Sequence, residues 1–262
     1  MKGRQLLRLS LQFMRVNAAP AALSAIDEER FGIRTARAPA VTAEALPPIL
    51  DYCRDNGVVL LIARCLASEL TAAQAMERAG FSLMDTLVYY ARDDLDRKTI
   101  PLDRGISTIR PAGPGDAPKV YAVAAEAFKD YYGHYHADPR LDRTKCDEAY
   151  MDWAYRSCVS REAADAVLAA VLQDEIVGFS TLKLNSFDEA EWLLSGVLPK
   201  TQGKGIYQAL AINNLLWAEE EGAKRLIVST QINNLAVQRV WIRLGFYPAY
   251  SYYPFHKWFD RP

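Results

Sequence analysis

Apolar runs of strand length alternate along the chain with segments whose apolar residues recur every three or four positions, as in strands followed by helices. The predicted strands cover residues 58–63, 81–92, 106–111, 166–172, 176–184, 192–198 and 225–230, with a final strand pair within 247–259. The predicted helices cover residues 43–56, 68–79, 117–128, 206–221 and 234–244, with a further helix around Tyr150 and Trp153. This alternation predicts an α/β chain.

Two of these strand–helix pairs share a sequence pattern. Residues 61–81 align with residues 226–246 without a gap, at an offset of 165 residues (226 minus 61). The shared positions are Leu61-Ile62 with Leu226-Ile227, Leu70 with Leu235, Arg78 with Arg243, and Gly80-Phe81 with Gly245-Phe246. We interpret the match as an internal duplication. The alternative is two unrelated strand–helix units that share a common Gly-Phe.

The two copies differ at positions that carry chemistry. Glu69 stands where the second copy has Asn234, and Met76 stands where it has Trp241. No glycine-rich loop precedes the first copy. The first copy therefore keeps the scaffold and lacks the parts that would hold a cofactor.

A loop with two glycines connects the predicted strand 192–198 to the helix that begins at Ile206. Gly203 and Gly205 can adopt positive φ and let an anion approach the backbone, while Lys204 adds a positive charge. Successive backbone N–H groups beside a helix N-terminus make such a loop an anion site. The spacing fits neither a Walker loop, which needs Ser or Thr after its lysine, nor a dinucleotide fingerprint with three glycines.

Two stretches resemble the GCN5-related N-acetyltransferases, the GNAT superfamily. Gln202 to Tyr207 is similar to the pyrophosphate loop Gln/Arg-x-x-Gly-x-Gly/Ala, with Tyr207 in the place of the last Gly/Ala. Asn234 to Phe246 resembles the Asn, the Tyr seven residues on, and the Gly-Phe of the family, with Trp241 in the place of the Tyr. The whole chain resembles the TDP-fucosamine acetyltransferases, in which a degenerate copy precedes an active domain.

This resemblance implies a fold and a division into domains. It implies two tandem GNAT-like domains with a central mixed sheet flanked by helices. Residues 1–95 would be a degenerate N-terminal domain, residues 96–105 a linker, and residues 106–262 the domain that binds acetyl-CoA.

The resemblance also implies which residues contact acetyl-CoA. The strand 192–198 would offer its backbone to the pantetheine arm where two strands splay apart. The amide of Val197 would lie near the thioester carbonyl, and Asn234 would bind the arm from the other side. The cofactor-binding residues on this reading are Val197, Leu198, Gln202, Gly203, Lys204, Gly205, Ile206, Tyr207 and Asn234.

The resemblance identifies the catalytic residues less clearly than it identifies the cofactor-binding residues. Trp241 occupies the position of the family's acid, but an indole N–H is not a proton donor at neutral pH. Three outcomes stay open: a tyrosine substitutes, the thiolate leaves unprotonated, or the domain binds coenzyme A without chemistry. The tyrosines considered are Tyr207, Tyr247 and Tyr250. His134 and His136 lie in the loop that roofs the acceptor pocket in this family and are candidates for holding the acceptor or relaying a proton.

The resemblance predicts an N-acetyltransferase that moves the acetyl group of acetyl-CoA to a primary amine within a ternary complex. The acceptor would be an amino sugar linked to a nucleotide or another small molecule, and Arg140, Arg143 and Lys145 weakly favour the anionic sugar nucleotide. The alternatives are a non-catalytic acyl-CoA-binding module and a GNAT that acts on a protein or polyamine amine.

Composition and charge narrow the classes of partner and ligand that the chain is expected to bind. The net charge of −1 gives no electrostatic footprint for nucleic acid. Four cysteines and three histidines fall in no metal-ligand spacing, and the cysteines are expected to be reduced, buried thiols. No apolar run approaches the roughly 18 residues of a membrane helix, and Arg8 and Arg15 interrupt any signal-peptide core. We expect a cytoplasmic monomer or homodimer without metal.

Overall fold

The computed structural model of the chain describes residues 21–101 and 107–259. The strands are β1 (Ala22–Leu23), β2 (Thr35–Ala38), β3 (Leu60–Leu66), β4 (Ser82–Leu83), β5 (Leu87–Asp93), β6 (Thr108–Pro111), β7 (Ala166–Leu172), β8 (Glu175–Leu184), β9 (Glu189–Val197), β10 (Arg225–Gln231) and β11 (Tyr247–Trp258). The helices are α1 (Ala25–Phe31), α2 (Leu46–Asp55), α3 (Leu70–Arg78), α4 (Ala117–Ala127), α5 (Arg143–Val159), α6 (Ile206–Glu220) and α7 (Leu235–Arg243).

Some predictions fall on residues that the structure does not describe. They are the opening segment with Arg8 and Arg15, the end of the linker at 102–105, and position 106 at the start of a predicted strand.

The described chain forms two compact units, one of residues up to Asp85 with the chain from Tyr252, the other of Thr86–Ser251. In the first unit β2 lies between β1, which is antiparallel to it, and β3, which is parallel to it. The other edge of β3 pairs antiparallel with the second half of β11. Its core packs α2 and α3 against β3 through Ile49, Leu61 and Met76, which are almost fully buried.

The second unit holds the predicted glycine loop. Its strands lie in the order β5-β10-β9-β8-β7-β6, in which β9 and β10 are parallel and the other neighbours are antiparallel. The residues of α6 pack with Trp192 and Trp241 in one core cluster, while α4 and α5 pack with Phe179 and Leu194 in another. Each unit is therefore a mixed sheet with helices packed on it, which confirms the predicted α/β fold class.

Two strand predictions were wrong in detail. The predicted strand 81–92 is two strands, β4 and β5, and the predicted strand pair within 247–259 is the single strand β11. The stretch from Tyr247 to Trp258 contains no turn, because the strand that pairs with its second half is β3, which lies far away in sequence. The division into a degenerate domain (1–95), a linker (96–105) and a cofactor-binding domain (106–262) stays a prediction.

Candidate functional site

The two parallel strands of the second unit separate before either of them ends. The last pair between them is Trp192 of β9 with Val228 of β10. Beyond it β9 continues to Val197 and β10 to Gln231. Within the described residues no further β9–β10 pair follows, so a gap opens between the strands from Trp192 and Val228 toward their carboxyl ends.

A bulge in β9 lies at the closed end of this gap. Thr181 of β8 pairs with Leu194, and the next residue of β8 pairs with Trp192, so Leu193 is left unpaired. A bulge shifts the alternation of side chains between the two faces of a strand. It therefore changes which β9 side chains lie on the α6 side after Trp192.

The amide of Val197 points into the gap. The neighbouring Leu198 donates its N–H to the carbonyl of Val177 at 2.8 Å, toward β8. Because successive amides along an extended strand point to opposite edges, the N–H of Val197 faces away from β8. The amide of Leu198 is committed to β8, so the structure leaves Val197 and not Leu198 to donate a hydrogen bond to a ligand in the gap.

The glycine loop has the geometry of an anion site. Gly203 and Gly205 have φ of 76° and 81°, and nothing lies within 4 Å of a Cβ added to either residue. Gly205 is the N-cap of α6, and no side chain caps this helix. In the part of the chain that the structure describes, no carbonyl accepts from the N–H groups of Gly203, Lys204 or Gly205. The exposed loop therefore offers unused donors and room for a diphosphate.

The predicted asparagine lies at the open end of the gap. Asn234 precedes α7, three residues after the end of β10. Its side-chain nitrogen donates to Thr230 Oγ1 at 3.0 Å, which holds the amide close to β10. Asn234, the glycine loop and Val197 thus all lie at or after the carboxyl ends of the two separated strands.

The loop between α4 and α5 is attached to the same end of β10. Gln231 donates its side-chain N–H to the carbonyl of Tyr132 at 2.5 Å. Gly133 is buried against Tyr150, and a Cβ added to it would overlap the Tyr150 hydroxyl and the Tyr131 ring, so these side chains would have to shift for a larger residue. The loop that carries both predicted histidines is therefore held beside the gap.

The two histidines have different environments. His136 is 6 % exposed, and its Nε2 lies 2.9 Å from Asp147 while its Nδ1 accepts from the N–H of Gly133 at 3.2 Å. These contacts assign the proton to Nε2 and use both ring nitrogens, so His136 holds the loop in place. His134 is only partly buried, and its ring centroid lies 4.0 Å from that of Tyr135.

Trp241 lies in the core beside the gap. It is 1 % exposed and packs against Trp192 at 6.0 Å between ring centroids. Its indole N–H donates to the hydroxyl of Tyr207 at 3.1 Å. The Tyr207 hydroxyl is also hydrogen-bonded to Ser195 of β9. Burial raises the pKa of Tyr207 well above its usual value, although both hydrogen bonds act in the opposite direction.

The structure does not bring Tyr247 to the gap. Its hydroxyl bonds the carboxylate of Asp93, which is also paired with Arg225 at the first residue of β10. The gap opens at the other end of β10, after Val228. Burial, followed by the hydrogen bond to Asp93, raises the pKa of Tyr247 to about 12.

Three features of the site were not predicted from sequence. They are the bulge at Leu193, the hydroxyl of Ser195 beside Tyr207, and the contact from Gln231 to the loop between α4 and α5. The run Trp192 to Leu198 is continuously apolar apart from Ser195 and Gly196, so its pattern does not reveal which residue is unpaired. Of these three features, only the role of Ser195 could have been suspected from sequence, because it is a polar residue within an apolar strand.

The described residues contain no cluster of three or more His, Cys, Asp or Glu side chains able to hold a metal ion. All four cysteines are free and buried, as predicted, and burial raises the pKa of each thiol to about 11. None of the helices described is both long and apolar enough to span a bilayer.

Parallel strands that separate beside an uncapped, glycine-bearing helix start are what the resemblance to the acetyltransferases implied. Residues 125–246 match the sequence model of the acetyltransferase (GNAT) family, a stretch that contains β9, the loop, β10 and α7. The matched stretch of 122 residues (246 minus 125, plus 1) out of 262 is therefore similar to this family, and it includes the glycine loop.

Two curated proteins are also similar to the chain. The chain is 29 % identical over 148 residues to the spore coat polysaccharide biosynthesis protein SpsD of Bacillus subtilis (strain 168), covering 56 % of this chain and 50 % of the relative. It is 28 % identical over 199 residues to the mycothiol acetyltransferase of Acidothermus cellulolyticus, covering 68 % and 56 %. The chain thus spans about half the length of the curated relatives that it matches.

A solved structure shows that the likeness in fold extends beyond the matched domain. The GCN5-related N-acetyltransferase from Kribbella flavida superimposes with a TM-score of 0.63 at 18 % identity, covering 97 % of this chain and 95 % of that one. At this identity the comparison concerns the fold alone.

Proposed function

We propose that the chain is an N-acetyltransferase that transfers the acetyl group of acetyl-CoA to a primary amine. The observation that carries the proposal is the gap between β9 and β10, which opens beside a loop whose amides have no acceptor among the described residues. A diphosphate at the loop and an extended arm in the gap would use both features at once.

The residues of the site would act mainly by positioning. When bound, acetyl-CoA supplies an activated thioester carbonyl. The amides of Gly203 and Gly205 would hold its diphosphate, and the N–H of Val197 would donate to the thioester oxygen, where negative charge develops. Holding two reactants in line contributes roughly 7–11 kcal/mol to such reactions.

The acceptor side of the proposal rests on the loop between α4 and α5. We propose a small-molecule acceptor, an amino sugar linked to a nucleotide, as the first class to test. The guanidinium carbon of Arg143 lies 5.5 Å from the centroid of the exposed Tyr132 ring, and Arg140 lies in the loop that carries Tyr132. These two positive charges make the loop better suited to an anionic acceptor than to a polyamine. The spore coat polysaccharide relative is compatible with a sugar acceptor. The cytoplasmic location remains part of this proposal.

His134 is the histidine that we propose for contact with the acceptor, because both ring nitrogens of His136 are used within the loop. In this role His134 would take a proton from the acceptor ammonium, directly or through water. His136 would keep the loop in position.

The second candidate is a module that binds acyl-CoA without catalysis, which the indole at Trp241 favours. One experiment separates the two. The protein is mixed with acetyl-CoA and a panel of amines that contains amino sugar nucleotides, free amino sugars, polyamines and lysine peptides, while released thiol is titrated.

We expect thiol release that requires an amine and is fastest with an amino sugar nucleotide. Tight binding of acetyl-CoA in calorimetry without turnover on any amine would support the binding module. Failure to bind acetyl-CoA would overturn both.

A further inference from the structure

A phenol lies beside the tryptophan that replaces the family's tyrosine. The indole N–H of Trp241 donates to the hydroxyl of Tyr207 at 3.1 Å. The two side chains come from different helices, since Tyr207 is the second residue of α6 and Trp241 is the seventh of the nine residues of α7. The site therefore has an indole on α7, and the phenol in contact with it comes from α6.

The Tyr207 hydroxyl is held at the edge of the gap. Its second partner is Ser195, which lies in the part of β9 that no longer pairs with β10, two residues before Val197. The Tyr207 ring packs against Trp192, at 5.4 Å between centroids, and Trp192 is the last β9 residue that pairs with β10. These contacts fix the phenol beside the amide that faces the gap.

The hydrogen bond with Trp241 also determines whether the Tyr207 hydroxyl keeps a hydrogen that it can donate. An indole nitrogen is only a donor, so the Tyr207 oxygen accepts from Trp241 and its own hydrogen is not used there. Ser195 is the second hydrogen-bond partner of this hydroxyl, and a serine hydroxyl can either donate or accept. Burial raises the pKa of Tyr207, so the phenol is protonated at neutral pH. The hydrogen of the Tyr207 hydroxyl is thus not used by Trp241 and can be donated to another partner.

We propose that Tyr207 is the general acid of the transfer and that Trp241 and Ser195 are the residues that position its hydroxyl. This inference rests on the proposed acetyl transfer. The amine nitrogen forms a bond to the acetyl carbon, and the carbon–sulfur bond breaks with its electron pair on sulfur. The Tyr207 proton passes to that sulfur, and the phenolate regains a proton from the one that the ammonium releases to solvent.

The test is a set of three variants measured with the full chain. Tyr207→Phe removes the phenol, and Tyr207→Phe with Trp241→Tyr returns a phenol to α7. Tyr155→Phe, a partly exposed residue of α5, is the matched control for loss of a hydroxyl. Each variant is checked for folding by circular dichroism and for acetyl-CoA binding by calorimetry.

Two readouts distinguish an acid from a residue that only supports the fold. With acetyl-CoA we expect Tyr207→Phe to lower kcat about a hundredfold, the size of a typical acid–base contribution. The thiolate of a strongly acidic aryl thiol leaves without protonation. With an acetyl thioester of such a thiol, the kcat values of the unaltered protein and of Tyr207→Phe should differ by less than about threefold. Without any turnover, the thiol of bound coenzyme A should titrate about one pKa unit higher in Tyr207→Phe, since the phenol no longer donates to sulfur.

The double variant should recover at least about tenfold of the lost kcat, because the phenol returns to the same hydrogen-bonded place. An unchanged kcat and an unchanged thiol pKa in Tyr207→Phe would overturn the inference while leaving the transferase proposal intact. An equal loss with both thioesters would assign Tyr207 to positioning and would also overturn it. If the unaltered protein releases no thiol with any amine, the proposed function fails first, and only the bound-thiol titration then decides the role of Tyr207.

Discussion

Two segments of the chain have matching backbones and differ where a cofactor would bind. The matching elements are β3 (Leu60–Leu66) with β10 (Arg225–Gln231), and α3 (Leu70–Arg78) with α7 (Leu235–Arg243), each boundary 165 residues apart (225 minus 60). Both helices are followed by a glycine with positive φ, 79° at Gly80 and 82° at Gly245. The duplication predicted from sequence thus extends to element boundaries and to the turn that ends each helix.

The pairing of the neighbouring parallel strand also stops at the same place. The last parallel pair of β3 involves Ala63 and that of β10 involves Val228, again 165 residues apart (228 minus 63). In the first segment the chain then folds back, and Val41 donates its N–H to the carbonyl of Arg64 at 2.8 Å. At the equivalent Ser229 no β9 residue pairs with β10 in the described chain, so the second gap stays open.

The helices that start beside these places differ in their donors. The first turn of α2 contains Pro47 and Pro48, which have no backbone N–H. The first turn of α6 contains no proline and follows two glycines with positive φ. The second segment therefore keeps both the strand gap and the helix-start donors that the proposed acetyl-CoA site would use, whereas in the first segment a hydrogen bond crosses the gap and two of the donors are replaced by prolines.

The largest expected effect comes from filling the two loop glycines. In Gly203→Val with Gly205→Val, each valine at positive φ is strained by roughly 1–2 kcal/mol. The exposed loop would relax and turn its amides away. We expect the affinity for acetyl-CoA in calorimetry to fall about tenfold to a hundredfold, at about 1.4 kcal/mol per tenfold.

The control for this variant lies at the other end of the same helix. Gly222 has φ of 82°, and nothing lies within 4 Å of an added Cβ. Gly222→Val should lower the melting temperature through the same strain and leave the affinity for acetyl-CoA unchanged. A folded double-glycine variant that binds acetyl-CoA as tightly as the unaltered protein would remove the loop from the site.

A proline introduced into the first turn of α6 would remove a backbone N–H donor there, as the prolines of α2 do in its first turn. Gln208 is exposed and occupies the same place in α6 as Pro48 in α2, the third residue of the helix. Gln208→Pro removes one amide donor that α6 itself does not use. A hydrogen bond to a charged group contributes about 1.5–3 kcal/mol, so we expect roughly tenfold weaker binding of acetyl-CoA. Gln208→Ala is the control, and equal affinities of the two variants would contradict the expectation.

The reverse exchange should leave binding unchanged. Pro47→Ala with Pro48→Ala restores two donors to α2, but the bond from Val41 to Arg64 still closes the first gap. Calorimetry should give one acetyl-CoA per chain before and after the change, with a loss of stability of about 1 kcal/mol or less per proline from the more flexible unfolded chain. The appearance of a second binding event would mean that donors alone distinguish the two segments.

The smallest effect on activity is expected at Tyr247, which lies at the paired end of β10. Tyr247→Phe should leave the rate of thiol release at neutral pH within about twofold, the scatter of a surface substitution. A larger loss would return Tyr247 to the catalytic candidates.

The same variant has an expected effect at high pH. The pKa of Tyr247 is raised to about 12 in the folded chain. Its contribution to stability is therefore complete below the unfolded pKa of about 10 and declines as the pH rises toward 12. Chemical denaturation over this range should show a shallower loss of stability in Tyr247→Phe. The effect is limited because Tyr247 is 44 % exposed.

Much of the fold could be predicted because its signals are local. Gly57, Gly80 and Gly245 end helices or lie next to their ends, and apolar spacing located the helices to within a few residues. The grouping of Val197 and Asn234 with the glycine loop also followed from motifs. The partner of β11 and the bulge at Leu193 could not be predicted, since both depend on pairing with strands elsewhere in the chain.

The sequence by itself determined most of the strands and helices from residue 43 onward, the glycine loop and the repeat. Backbone preferences and apolar spacing act over a few residues, so they can be read without knowing the neighbours. Only the tertiary structure decided that one gap is open and the other is closed, and that the hydroxyl of Tyr207 meets the indole of Trp241. These features depend on groups that lie 23 and 34 residues apart in sequence (64 minus 41 and 241 minus 207), which only the packing of strands and helices brings together.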